Sequence, residues 1–278
     1  MRCGYRPAPL AAGAPSWTRF LGVRYLTFLR SVHEQLRPER YLEIGVRAGN
    51  SLALSRCRSV GIDPLFEIVN ELNCDLTLVR TTSDEYFARD EPLAPTGDKP
   101  FDLAFIDGLH LFEFALRDFM NTERHSSSRG VIIFDDVLPR NVDEAARDRH
   151  TRAWTGDVYT VLEVLAKYRP DLTVMIVGTQ PTGLMLVCGL DPTNTILADN
   201  YDAIMAEFRR PDPQPVPAIL LDRLIAADPQ RVLDSDIWQI LSEAAPDADP
   251  AEVRAPLAKC LEEGFGTDFA AANLMAAS

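Results

Sequence analysis

Seven short apolar runs, most of them separated by helical stretches, constrain this chain more than any other feature. They lie at 41–44, 59–63, 76–79, 101–106, 131–134, 172–177 and 184–188. Runs of this length, bounded by Gly, Pro or Asp, read as strands. Strands that are apolar along their whole length, alternating with helices, predict a parallel sheet covered on both faces. Only residues 178–183, a glycine-flanked turn, separate the last two runs, so the final strand is antiparallel. The predicted fold class is α/β: a Rossmann-like, seven-stranded, mostly parallel sheet with its last strand antiparallel, plus a C-terminal helical appendage.

Helices are predicted at 17–36, 111–120, 158–168 and 200–210. The first carries Phe20, Leu21, Tyr25, Leu26, Leu29 and Val32 at helical spacing, and Arg37-Pro38 ends it. Residues 211–217 (PDPQPVP) hold too much proline for a helix or central strand and read as a linker. Beyond them, Leu220, Leu221, Leu224 and Ile225, then Val232, Leu233, Ile237 and Leu241, mark amphipathic helices. The expected division is 1–37, a leader and helix; 38–191, the core; and 192–278, the appendage. That tail is read as packing on the core, forming a homo-oligomer interface or recognising a large acceptor.

A chain of 278 residues, 46% hydrophobic, buries a core without disulfides or metal. Its five cysteines are far apart with no C-x-x-C, which predicts free thiols in a reducing compartment. No apolar run reaches membrane length, and residues 1–15 lack a secretory core, so the expected location is cytoplasmic. The net charge of −13 disfavours nucleic-acid partners. A small-molecule acceptor is the expected partner.

The first strand runs into Gly45-Val-Arg-Ala-Gly49-Asn-Ser51, expected to open a helix. Glycines at 45 and 49 let the backbone approach a ligand, and free N–H groups at a helix start favour anionic or polar groups. Asp63 ends the second strand, twenty residues after Glu43, where an acid accepts ribose hydroxyls. A dinucleotide fingerprint needs a glycine at 47. Arg47 stands there and would crowd a pyrophosphate, so a nicotinamide dehydrogenase is the weakest reading. An ordinary glycine turn is the plain alternative.

On these residues, 38–190 resemble a class I S-adenosylmethionine-dependent methyltransferase. YLEIGVRAGNS resembles the first motif of that family, and GIDP the second. The resemblance implies S-adenosyl-L-methionine as cofactor, with Glu43, Gly45, Gly49, Ser51, Asp63 and Asp107 around it. It also places Thr82-Ser83-Asp84 beside the adenine.

The fourth strand stops at Asp107-Gly108-Leu109-His110 and the fifth at Asp135-Asp136. Strand ends of a parallel sheet are where ligands bind. Three carboxylates there repel one another unless a cation or protons intervene, and oxygen ligands suit Mg²⁺, Ca²⁺ or Mn²⁺. His110 has a pKa suited to taking a proton from a hydroxyl. The plain alternative makes the acids helix caps and His110 an exposed side chain. IDGLH followed by FDD resembles the metal-dependent sugar O-methyltransferases of the macrocin type. That resemblance makes Asp107, Asp135 and Asp136 ligands of Mg²⁺ or another divalent cation, and His110 the general base. The broader group includes cephalosporin hydroxylase-like proteins, so the acceptor does not follow from the motif.

Residues 140–152 follow the acidic pair and are read as a lid or a solvated loop. Trp154 is read as an acceptor-pocket wall or a packing anchor, and Asp157 as favouring the start of the 158–168 helix. The expected function is O-methylation of a hydroxyl on a sugar or other small natural product. A metal-independent carboxyl or N-methyltransferase is the first alternative. A non-catalytic binding subunit of the same fold is the second.

Overall fold

The computed structural model describes residues 22–266. The leader and the first turn expected of the 17–36 helix lie outside that range. In chain order the elements are α1 Tyr25–Leu36, β1 Arg40–Ile44, β2 Arg58–Ile62, β3 Asp75–Val79, α2 Ser83–Phe87, β4 Phe101–Ile106, α3 Phe112–Arg124 and β5 Ser126–Phe134. They continue with α4 Thr160–Tyr168, β6 Thr173–Val177, β7 Leu184–Cys188, α5 Ile196–Asp199, α6 Tyr201–Phe208, α7 Ala218–Leu221, α8 Pro229–Leu233, α9 Ile237–Glu243 and α10 Pro250–Phe265.

The strands form one sheet in the order β3-β2-β1-β4-β5-β7-β6. Strands β1 to β5 are parallel, and β7 runs antiparallel to both β5 and β6. The order reverses between β1 and β4, which opens a crevice at the carboxyl ends of those strands. Strand residues alternate between two buried layers because successive side chains point to opposite faces. Leu42, Ala104, Ile106, Ile132 and Phe134 pack with α3 and α4. Tyr41, Leu103, Phe105, Val131 and Ile133 pack with α1, α9 and α10.

Two features depart from the sequence reading. The glycine loop does not open an α-helix, only a single 3₁₀ turn at Leu52–Leu54. Gly49-Asn50-Ser51 and Ser55 flank that turn closely, leaving too few residues to nucleate a helix. Strand β5 begins at Ser126 rather than 131. Its polar start is satisfied internally: the Ser126 hydroxyl donates to Thr122 O and the Ser128 hydroxyl to Ala248 O.

The C-terminal helices cover a face of the sheet that the short β1–β2 connection leaves open. Trp238 meets Phe28 of α1 edge-on at 6.4 Å, and Leu241, Val253, Leu257 and Leu261 are buried beside it. The proline-rich stretch 211–217 lies on the core as an irregular strap. Its Asp212 carboxylate accepts from the amides of Arg147 and Asp148, and Gln214 is buried. Beyond α7, Ala227 bridges to Val177 and covers the edge of β6. No described helix is long and apolar enough to cross a membrane. Cys57, Cys74, Cys188 and Cys260 are free thiols, and Cys3 lies outside the described residues.

Candidate active site

The ladder hydrogen bonds continue past the strand ends and bring the functional loops together. Gly45 N–H donates to Ile62 O, Asp107 N–H to Ile44 O and Asp135 N–H to Ile106 O. Gly45 sits at φ +88°, and a Cβ there would lie 1.9 Å from the Asp107 carbonyl oxygen. Only glycine lets the first loop pass this close to the fourth strand. Arg47, His110 and Asp136 also adopt positive φ, so strained backbone gathers at this edge.

Glu43 is completely buried beneath the loop, accepting from the Tyr41 hydroxyl at 2.6 Å and the Ser51 hydroxyl at 2.8 Å. Burial pushes its pKa up to about 8, against the pull of those hydrogen bonds. Glu43 and Ser51 therefore face each other. Asp63 accepts from Arg47 N–H and Leu65 N–H, both at 2.6 Å, and so fixes the loop to the end of β2. Thr82 caps α2, Ser83 is its first residue, and Asp84 is held by the Arg117 guanidinium.

His110 lies between two carboxylates. Its Nε2 is 3.1 Å from Asp107 Oδ1, and its Nδ1 is 2.9 Å from Asp136 Oδ2. Burial works against charge on the ring, but hydrogen bonds to Asp107 and Asp136 outweigh it and raise the pKa to about 11. Burial also raises the Asp107 pKa, while His110 opposes that rise. Asp107, His110 and Asp136 each offer a ligand atom within 4.8 Å of the others. The two carboxylate oxygens at that spacing suit a hard divalent cation such as Mg²⁺ or Mn²⁺, whereas the imidazole nitrogen suits a transition metal ion.

The expected carboxylates Asp107, Asp135 and Asp136 line one recess together with His110, and the ligand atoms within 4.8 Å of one another are those of Asp107, His110 and Asp136. Asp135 turns its Oδ1 onto the Asp136 N–H and lines the same recess. Burial, then Asp136 and Asp107, push its pKa well upward.

The segment after the acidic pair is tied down. Glu144 is buried and salt-bridged to Arg140, while Arg147 pairs with both Glu113 and Asp157. Trp154 donates from Nε1 to Ala146 O at 2.6 Å and stacks on the His110 ring. Gly156, at φ +57°, passes so close that a Cβ would sit 1.7 Å from His110 O. Asp157 accepts from Phe112 N–H at 2.7 Å and so caps the start of α3, while it also stands three residues ahead of α4.

Two neighbours of the site were not singled out from sequence. Asp118 of α3 is buried and lines the His110 recess, and its Oδ1 has no partner. Burial moves its pKa up to about 7, while the Ser83 hydroxyl pulls it down. In sequence it is one charged residue on a helix. Tyr25 of α1 packs over Phe105, and burial and the field of Asp135 and Asp107 push its phenol upward. Its helical spacing resembled that of a core residue.

Residues 42–137 match the family model described as a methyltransferase domain. No curated protein matches the chain. Similar solved structures include an O-methyltransferase from Bacillus cereus in complex with SAH. It is 19% identical, with 58% of this chain and 78% of that one covered and a TM-score of 0.40. TomG, an O-methyltransferase from Streptomyces achromogenes involved in tomaymycin synthesis and solved with SAM, is 21% identical. It covers 58% of this chain and 77% of its own, at a TM-score of 0.38. MycE, a methyltransferase of the mycinamycin pathway solved with Mg, SAH and mycinamycin VI, is 19% identical. The match covers 60% of this chain and 48% of MycE, at a TM-score of 0.39. Likenesses this distant carry no inference about chemistry. The matched segment, whose family model is that of a methyltransferase domain, holds the glycine loop, Asp63, Asp107 and the Asp135–Asp136 pair.

Proposed function

We propose that the protein transfers a methyl group from S-adenosylmethionine to a hydroxyl of a sugar or another small natural product. The observation that carries this reading is His110 held between Asp107 and Asp136 where β4 and β5 end. The sulfonium brings the reactive methyl, and the protein aligns acceptor oxygen, carbon and sulfur. The imidazolium of the cation-free site cannot take a proton; a cation held by Asp107 and Asp136 would lower the His110 pKa, and the hydroxyl proton would then pass to a ring nitrogen of neutral His110 as the O–C bond forms and the S–C bond breaks. Asp107 and Asp136 would hold a divalent cation with His110 alongside. A bound cation there would lower the pKa of an acceptor hydroxyl. Trp154 keeps the imidazole plane fixed, and the 140–157 segment shields it from water.

The test is methylation of a panel of hydroxylated sugars and natural products, read as S-adenosylhomocysteine formed, with Mg²⁺ and after chelation. His110→Ala should cut turnover at least a hundredfold while leaving cofactor affinity within about threefold. Wild-type turnover in that variant would remove the base assignment. A second reading rests on the same contact, because imidazolium already balances the two carboxylates without a metal. On that reading the protein methylates a carboxyl or nitrogen acceptor, and turnover that survives complete chelation would select it.

A further inference from the structure

A second concavity, of about 370 Å³, opens at the opposite edge of the sheet. Arg30, His33, Glu34 and Arg37 reach it from one face of α1 and its exit, and Arg56 joins them just before β2. Arg37 and Arg56 precede the starts of β1 and β2, whereas Asp107 and His110 follow the end of β4. A five-residue strand puts about 16 Å between the two edges.

The charge here is unbalanced. Several arginines elsewhere are matched to acids, such as Arg117 to Asp84, Arg147 to Glu113 and Arg169 to Glu123, whereas here three unmatched ones line a single concavity. Among the described residues, Arg30, Arg37 and Arg56 have no carboxylate within 4.0 Å. Arg56 is held in place, donating from Nη1 to Ala53 O at 2.8 Å and Ser55 O at 2.7 Å. Glu34 is the single acid on the lining, so three guanidinium groups against one carboxylate leave +2 in a chain of net −13. His33 adds no charge. Burial and the nearby Arg56 lower its pKa to about 4.

We propose that this pocket binds a phosphate-bearing anion, a pyrophosphate or phosphate ester, through Arg30, Arg37 and Arg56. Guanidinium forks match phosphate oxygens in bidentate geometry, and a dianion balances the +2 where a single carboxylate does not. The volume leaves space for the organic part of an ester. The site is independent of the methyl-transfer reading, since it lies at the far end of the strands.

Calorimetric titration of inorganic pyrophosphate into protein freed of divalent cations tests it. The wild type should bind one equivalent, more weakly as salt rises. Arg30→Ala combined with Arg37→Gly should weaken binding at least tenfold. Both residues are exposed, and glycine suits the φ of 49° at position 37, so that variant keeps its fold. Glu34→Gln should tighten binding about threefold, a gain that unfolding cannot imitate. S-adenosylhomocysteine affinity should stay the same in both variants. No saturable binding by the wild type, an unchanged Kd in the double variant, or displacement of pyrophosphate by S-adenosylhomocysteine would overturn the proposal.

Discussion

The rings of His110 and Trp154 stack with centroids 5.3 Å apart and planes 8° from parallel. The Trp154 carbonyl oxygen also lies 3.2 Å from His110 Nδ1, so one residue holds the imidazole both by its face and by its edge. Trp154 is half-buried, and its indole N–H is bonded to Ala146 O. Trp154→Ala should cost about 2–3 kcal/mol of stability, and Trp154→Phe, which loses the indole hydrogen bond and part of the ring but keeps an aromatic face on His110, about 1 kcal/mol. Denaturant unfolding measures both. Equal losses would mean that the stack contributes nothing.

His110 gives a pH signature. In metal-free protein its imidazole should stay protonated through neutral pH and titrate toward about 11. A raised histidine pKa contributes stability that is fully present below the unfolded value near 6.5 and is lost as pH rises through the folded one. The stabilisation from this contact should therefore decline between pH 6.5 and 11. Adding Mg²⁺ should pull the pKa down, because the cation competes for Asp107 and Asp136. NMR titration of the ring protons follows both effects. A metal-free midpoint near 6.5 would mean that the carboxylates do not clamp the ring.

Glu43 is a buried acid with the same sign of effect. Its folded pKa of about 8 lies above the unfolded value, so it contributes stability below pH 4.5 that falls away as pH rises to 8. Glu43→Gln should flatten that slope when unfolding is measured at pH 5 and pH 8.5. An unchanged slope would locate it in other groups.

Two glycines separate local strain from loss of the site. Gly156→Ala pushes a methyl into the His110 carbonyl at positive φ and should cost 3 kcal/mol or more. Gly108→Ala meets Asp118 Oδ2 at 3.3 Å and Ile44 Cγ2 at 3.5 Å, at a φ open to any residue, and should cost about 1 kcal/mol or less. Thermal unfolding distinguishes the two, and equal losses would contradict the close approach at Gly156.

The sheet was legible because its strands stop abruptly at Gly45, Asp63, Asp107 and Asp135, where apolar periodicity gives way to polar loops. Those stops also located His110 and Asp136. What periodicity does not carry is which element an isolated side chain reaches. Asp157 precedes α4 in sequence but caps α3, and Asp118 belongs to an ordinary charged pattern yet lies beside the site. The polar start of β5 looked like a loop because its serines find partners on distant segments. Thr82 and Glu85 form a capping box that starts α2, a short helix outside those predicted.

Titration of Mn²⁺ into protein saturated with S-adenosylhomocysteine, followed by electron paramagnetic resonance, tests the strand-end site most directly. The account predicts one bound ion per chain in the wild type, weakened at least a hundredfold by Asp107→Asn or Asp136→Asn and much less by Asp135→Asn. Absence of a bound ion, or wild-type affinity in the Asp107 or Asp136 variant, would contradict it.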